Sequence, residues 1–134
     1  MNCKIVTSYS VKYIEFPELL FASDTKGNLY FDATLYIEQK GDINCHSPAD
    51  FARKFAFWIE SAKRAYDVEY MVVTDDAIGH TLFDESMALL FVCYIDPPFS
   101  IYILERMSEM LINGLVLSDS YISQVASERL NFNN

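Results

Sequence analysis

The sequence predicts one α+β domain: an N-terminal antiparallel β-meander, one long helix, a further buried strand, and a helical C-terminal half. Three observations predict it. Apolar and polar residues alternate through much of the chain up to Glu38, whereas from Pro48 onward apolar residues recur mostly at three- and four-residue steps. The chain has 134 residues, 51% of them apolar and 22% charged, which suffices for one packed core and leaves little room for two. The same composition argues against disorder.

Ile5, Tyr9, Val11 and Tyr13 alternate with Lys4, Ser8, Ser10 and Lys12, the period of a half-buried strand. After Pro17 comes the short apolar run Leu19–Ala22, then Asp24-Thr25-Lys26-Gly27-Asn28, which has turn chemistry. Leu29, Phe31, Ala33, Leu35 and Ile37 then share one face, with Tyr30, Asp32, Thr34, Tyr36 and Glu38 on the other. This is the clearest strand pattern in the chain, so a meander is expected over residues 4–38. Ser47 as cap, Pro48 at the first helical position and Asp50 at the positive end of the dipole start a helix over 48–66. It carries Phe51, Phe55, Ile59 and Ala62, with Trp58 beside them. Val68–Thr74 reads as a strand buried on both faces.

Phe83, Met87, Leu90, Phe91 and Tyr94 keep helical spacing, with Asp84 and Glu85 in the first turn, although Phe91–Ile95 alone has strand composition. Pro97-Pro98 ends that helix, and another carries Tyr102, Ile103, Met107, Met110 and Leu111 up to Asn113-Gly114. A last short helix is expected from Ser118, carrying Tyr121, Ile122, Val125 and Leu130.

Charge is distributed unevenly. The net charge is −9, and between Arg64 and Arg106 there is no Lys or Arg, whereas Asp67, Glu69, Asp75, Asp76, Asp84, Glu85, Asp96 and Glu105 make eight carboxylates. A concentrated negative field steers cationic partners and repels phosphate, so a direct nucleic-acid ligand is not expected. The stretch Glu109–Leu130 has the order of a helix-turn-helix, but its last helix offers only Arg129 as a cation. The four glycines are scattered, which excludes the clustered loops that cradle phosphate, and no cofactor is expected. The three cysteines, Cys3, Cys45 and Cys93, are odd in number and far apart, which fits reduced thiols and a cytoplasmic location. The first residues hold no signal-length apolar stretch, and the longest uncharged apolar run, Ser86–Ile95, is about half a membrane span. A soluble chain with no membrane partner is expected.

Asp75, Asp76, His80 and Asp84 form the nearest approach to a catalytic or metal constellation, with hard oxygen donors and an imidazole at a strand end and helix start. Their spacing matches no metal motif, and Asp84 and Glu85 are equally explained as helix-start residues. Cys45-His46 precedes the main helix, but Ser47 is the better cap, and the pair reads as a loop Cys and a loop His. Tyr30 and Tyr36 share a strand face with Asp32, Thr34 and Glu38, either as an exposed binding surface for Arg- and Lys-rich partners or as core beneath helices. The candidate partner-binding set is therefore Asp67, Glu69, Asp75, Asp76, Asp84, Glu85, Tyr30 and Tyr36.

One small domain, no catalytic fingerprint, a focused acidic field and plentiful Tyr describe a stoichiometric inhibitor rather than an enzyme. In profile the chain is similar to bacterial immunity proteins that neutralise a cognate toxin, often a cationic nuclease, as in contact-dependent growth inhibition. The resemblance spans the whole chain in composition, and no motif carries residue roles with it. A phage-encoded anti-defence protein that mimics DNA charge shares the profile, and a metal-dependent hydrolase using Asp75, Asp76, His80 and Asp84 is the third alternative.

Overall fold

A computed structural model describes residues 9–114 of the chain. The described residues fall into two compact units, divided between Pro97 and Pro98. The first is α+β and holds a five-stranded antiparallel sheet in the order β1-β2-β3-β5-β4. The strands are β1 (Ser10–Val11), β2 (Leu20–Ser23), β3 (Leu29–Asp32), β4 (Val72–Asp75) and β5 (His80–Asp84). Between β3 and β4 lie α1 (Ala33–Lys40), α2 (Pro48–Lys54) and α3 (Ala56–Tyr66). After β5 come a 3-10 turn (Glu85–Met87) and α4 (Ala88–Ile95). Helix α5 (Pro97–Asn113) begins at the boundary and supplies nearly all of the described part of the second unit.

Cross-strand pairing sets up two unlike faces. Phe21, Phe31 and Phe83 are aligned on one, and against them pack Phe51 of α2 and Phe91 of α4, all five fully or almost fully buried. Phe91 has Phe31, Phe51, Phe83, Tyr36 and Tyr94 around it at ring separations of 4.9–6.2 Å. On the other face Ala22, Tyr30, Val73 and Leu82 form a smaller cluster beneath Tyr9 and Tyr70.

The predicted meander stops short. The strand expected over 29–38 ends at Asp32, where the chain turns into α1. The Asp32 carboxylate takes the Leu35 amide at 2.9 Å, capping the helix. Ala33, Tyr36 and Ile37 then face inward at the spacing of a helix rather than of a strand. Tyr30 and Tyr36 are therefore core, 1% and 4% exposed, and cannot be the partner surface considered for them.

The same device recurs after β5. The helix expected from Phe83 begins later, because Phe83 is paired in the sheet with Phe31 and Val72. Asp84 ends the strand and its carboxylate receives Ser86 N at 3.0 Å, opening the turn that leads into α4. Tyr30-Phe31-Asp32 and Leu82-Phe83-Asp84, on neighbouring strands, thus each deliver a chain into a helix through a buried aspartate cap.

The single helix expected over 48–66 is two, broken at Phe55, whose φ of −114° and ψ of 25° are not helical. The start is as expected: Ser47 accepts the Asp50 amide at 3.0 Å, and Pro48 occupies the first turn. Phe51 is fully buried, but α3 buries no residue completely, and Trp58, placed with the apolar face by its spacing, is 58% exposed. The strand expected to be buried on both faces is instead at the sheet edge, with Val73 buried and Thr74 exposed.

Pro97 and Pro98 open α5, where their missing amide hydrogens leave no bond unmade. Gly114, at φ 76°, closes it by donating its N–H to Met110 O at 2.7 Å. Tyr102 stacks near Phe99 and under the Arg106 guanidinium. No single described helix is long and apolar enough to cross a membrane. Cys3, the first half of the first expected strand and the helix expected from Ser118 lie outside the described residues.

Candidate functional site: an acidic sheet edge

The β4–β5 hairpin is closed by a turn that starts at Asp75. Its carbonyl takes the amides of Ile78 at 3.3 Å and Gly79 at 2.8 Å, and its carboxylate takes Ala77 N at 3.2 Å. Gly79 sits at φ 70°, a conformation that a side chain would strain. The turn holds Asp76 and Ile78 out in solvent and leaves Asp75 half-buried. At the opposite end of β4, Asp67 ends α3 in the left-handed conformation, at φ 51°, which Asp tolerates better than most residues. Asp67 and Glu69 are both exposed.

The sequence-predicted carboxylates therefore divide by the antiparallel register. Asp75 and Asp76 stand at one end of the hairpin strands, and Glu69, Asp67, Asp84 and Glu85 at the other. Glu69 pairs with Lys26 at 3.1 Å and Glu85 with Lys12 at 2.6 Å, both well exposed to solvent. Such pairs contribute about 0–1 kcal/mol each. Asp84 is 7% exposed and committed to Ser86, so it is a structural cap and not part of the surface. Asp67, Asp75 and Asp76 have no ion-pair partner among the described residues.

His80 is held by an acid from outside the predicted set. It opens β5 opposite Asp75, but its Nδ1 lies 2.6 Å from Asp32 Oδ2, across the sheet. The same oxygen accepts the Tyr9 hydroxyl at 2.6 Å, and the other carboxylate oxygen caps α1. Burial, and then Asp32, hold the Tyr9 phenol well above its ordinary pKa. Asp32, fully buried, is thereby saturated by groups from three parts of the fold. Asp84 lies at the far end of β5, four residues from His80, or roughly 13 Å along a strand. Among the described residues no three His, Cys, Asp or Glu side chains gather as a metal would require.

Cys45 and His46 are separately engaged. The Cys45 thiol contacts Asp42 Oδ2 at 3.4 Å, and that hydrogen bond to the carboxylate pushes its pKa up, against nucleophilic use. His46 Nδ1 accepts the Asp42 amide at 2.9 Å while its ring meets Tyr94 edge-on. The Asp42→Asn variant is expected to speed alkylation of Cys45 several-fold at neutral pH, with intact-mass kinetics as the readout. An unchanged rate would mean that Asp42 does not control the thiol.

Between the β2–β3 turn, the end of α3 and the 3-10 turn after β5 opens a cleft of about 530 Å³, lined in part by Lys12, Tyr13, Tyr66, Asp84, Glu85 and Leu89. Tyr66 and Leu89, 70% and 41% exposed, carry no signal in the sequence that separates them from core residues. Phe57 and Trp58 are likewise exposed where helical spacing pointed inward for Trp58. No family model, no curated protein and no solved structure matches the chain.

Proposed function

We propose that the chain is a protein-binding inhibitor that neutralises a cationic protein by stoichiometric association, as bacterial immunity proteins do with their toxins. The observation that carries this reading is the set Asp67, Asp75 and Asp76, solvent-accessible at both ends of an edge strand and without ion-pair partners among the described residues. Uncompensated carboxylates repel one another and lower the stability of the free chain, and a cationic partner relieves that repulsion. No Lys or Arg lies between Arg64 and Arg106 to offset them. The partner is then a protein with a basic surface, a nuclease-like toxin being the natural class, and the complex forms in the reducing cytoplasm, where Cys45 and Cys93 stay free thiols.

A DNA-mimicking anti-defence protein is the alternative occupant of the same profile, and its target would be a DNA-binding enzyme rather than a toxin. The metal-dependent hydrolase reading is not favoured, because Asp84 lies at the other end of β5 from His80, bonded to Ser86, and the four side chains do not gather into one cluster among the described residues.

The test is a neutralisation assay with the toxic domain of an exoprotein encoded beside this chain. A one-to-one complex on size-exclusion chromatography, with toxin activity abolished at equimolar protein, is the expected result. Full toxin activity in the presence of excess protein would overturn the immunity reading. Inhibition of a DNA-binding defence enzyme instead would transfer the proposal to anti-defence.

A further inference from the structure

We propose that the outer edge of β4 receives an extended segment of a cationic protein as an additional strand of the sheet. This rests on the protein-binding reading above and specifies how the partner is held. The Asp84 amide donates to Met71 O at 2.8 Å, so Met71 and Asp84 are a hydrogen-bonded pair of the antiparallel ladder. Bonded and non-bonded pairs alternate, so Val73 and Asp75 also turn their backbone groups toward β5. Val72 and Thr74 turn theirs away from it, and among the described residues no strand lies on that side.

An open edge of this kind is a template for pairing, and folded proteins usually blunt it with Lys, Pro or a bulge. Val72-Val73-Thr74-Asp75 has none of these; its first three residues are β-branched and suit a strand. The charges flanking the edge select its occupant. Asp67 and Glu69 precede β4, and Asp75 and Asp76 end it, so both ends are acidic. A second copy of this strand would therefore set carboxylates against carboxylates in either orientation, which is destabilising. A segment with an apolar centre and Lys or Arg at both ends gains backbone hydrogen bonds along the edge and opposite charge at each end. The exposed Ile78 at the hairpin turn extends the apolar contact beyond the strand.

The experiment uses the full chain and, as probe, a short peptide with a Val-Thr-Val centre and two Lys at each end, with a counterpart N-methylated at every backbone amide. The counterpart keeps the charge and loses the donors. Amide hydrogen exchange is followed by NMR. With the probe at saturation, the amides of Val72 and Thr74 are expected to slow by at least about tenfold, and the N-methylated peptide to protect neither. Thr74→Pro, which removes an outward N–H and no ladder bond, is expected to abolish probe binding while thermal unfolding remains cooperative. Should that variant fail to fold, the two peptides on the wild-type chain decide the matter. Equal, salt-sensitive binding of both peptides without protection would overturn strand addition and leave the acidic-surface reading standing. Protection of Val72 and Thr74 that grows with protein concentration alone would assign the edge to a second copy and overturn the proposal. Binding of neither peptide would overturn it as well, while the neutralisation assay judges the inhibitor reading independently.

Discussion

Asp32→Ala is expected to lower the unfolding free energy by roughly 3 kcal/mol, combining the loss of a helix cap with buried donors left unmet. The Tyr9 hydroxyl, His80 Nδ1 and the Leu35 amide all converge on this one carboxylate, which is fully buried. Removing it leaves the β3–α1 junction without its cap and takes the shared partner from Tyr9 and His80. Asp32→Asn should lose less, because Asn caps a helix about as well as Asp and keeps one acceptor oxygen. Urea unfolding of the two variants checks both the size and the order. A loss below about 1 kcal/mol for the Ala variant would mean that the cluster is not a structural tie.

Phe91→Ala is expected to be the more severe change, at about 3–5 kcal/mol, the range for truncating a buried Phe. Five aromatic rings surround Phe91, which is itself completely buried, so the void is walled by rigid side chains that relax poorly. Phe91→Leu should recover a good part of the loss by filling most of that volume. The same unfolding experiment gives the comparison, and equal stability for the Ala and Leu variants would place the aromatic core elsewhere.

The fold class was legible because the two periods of hydrophobicity are real: the hairpin turn at Asp24–Asn28, the Ser47-Pro48 helix start and the Gly114 stop are all where the residues put them. What misled was the crossing from strand to helix at Asp32. Leu29, Phe31, Ala33, Leu35 and Ile37 continue a period of two past the point where the backbone changes, because Ala33, Tyr36 and Ile37 satisfy the helical period as well. The signal that could have separated them was an Asp ahead of Ala, Leu, Glu, Gln and Lys, a capping residue followed by helix formers. Phe83 failed in the opposite direction, since its spacing to Met87 and Phe91 is helical although it is a strand residue. Asp84 was read as a helix-start residue, and it is one.

Of the candidate site, sequence reading identified the acidic stretch but could not sort it. Tyr36 is interior because α1 turns it onto Phe91, and Tyr30 because Ala22, Val73, Leu82, Tyr9 and Tyr70 gather around it on the other sheet face, long-range facts that residue type does not encode. The pairing of His80 with Asp32 joins residues 48 apart in sequence, and nothing local in either segment announces it. Tyr66 and Leu89 at the cleft have the composition of core residues and acquire their exposure only from the packing of the whole unit.

Recruitment of a basic protein by the carboxylates about β4 is read out by the association rate with that partner as a function of salt. Asp75→Lys/Asp76→Lys is compared with the wild-type chain by stopped-flow fluorescence from low to physiological ionic strength. Asp76 is exposed in the hairpin turn, whereas Asp75 stands opposite His80, acts on Tyr9 of the Asp32 cluster and holds the Ala77 amide, so Asp76→Lys alone is measured beside the double variant and urea unfolding checks that both stay folded. A slower on-rate at low salt, a flatter dependence on salt and a much smaller change in the dissociation rate are expected, as charges at an interface rim act mainly on encounter. An on-rate and salt slope equal to those of the wild type would contradict this recruitment and move the interface away from this edge.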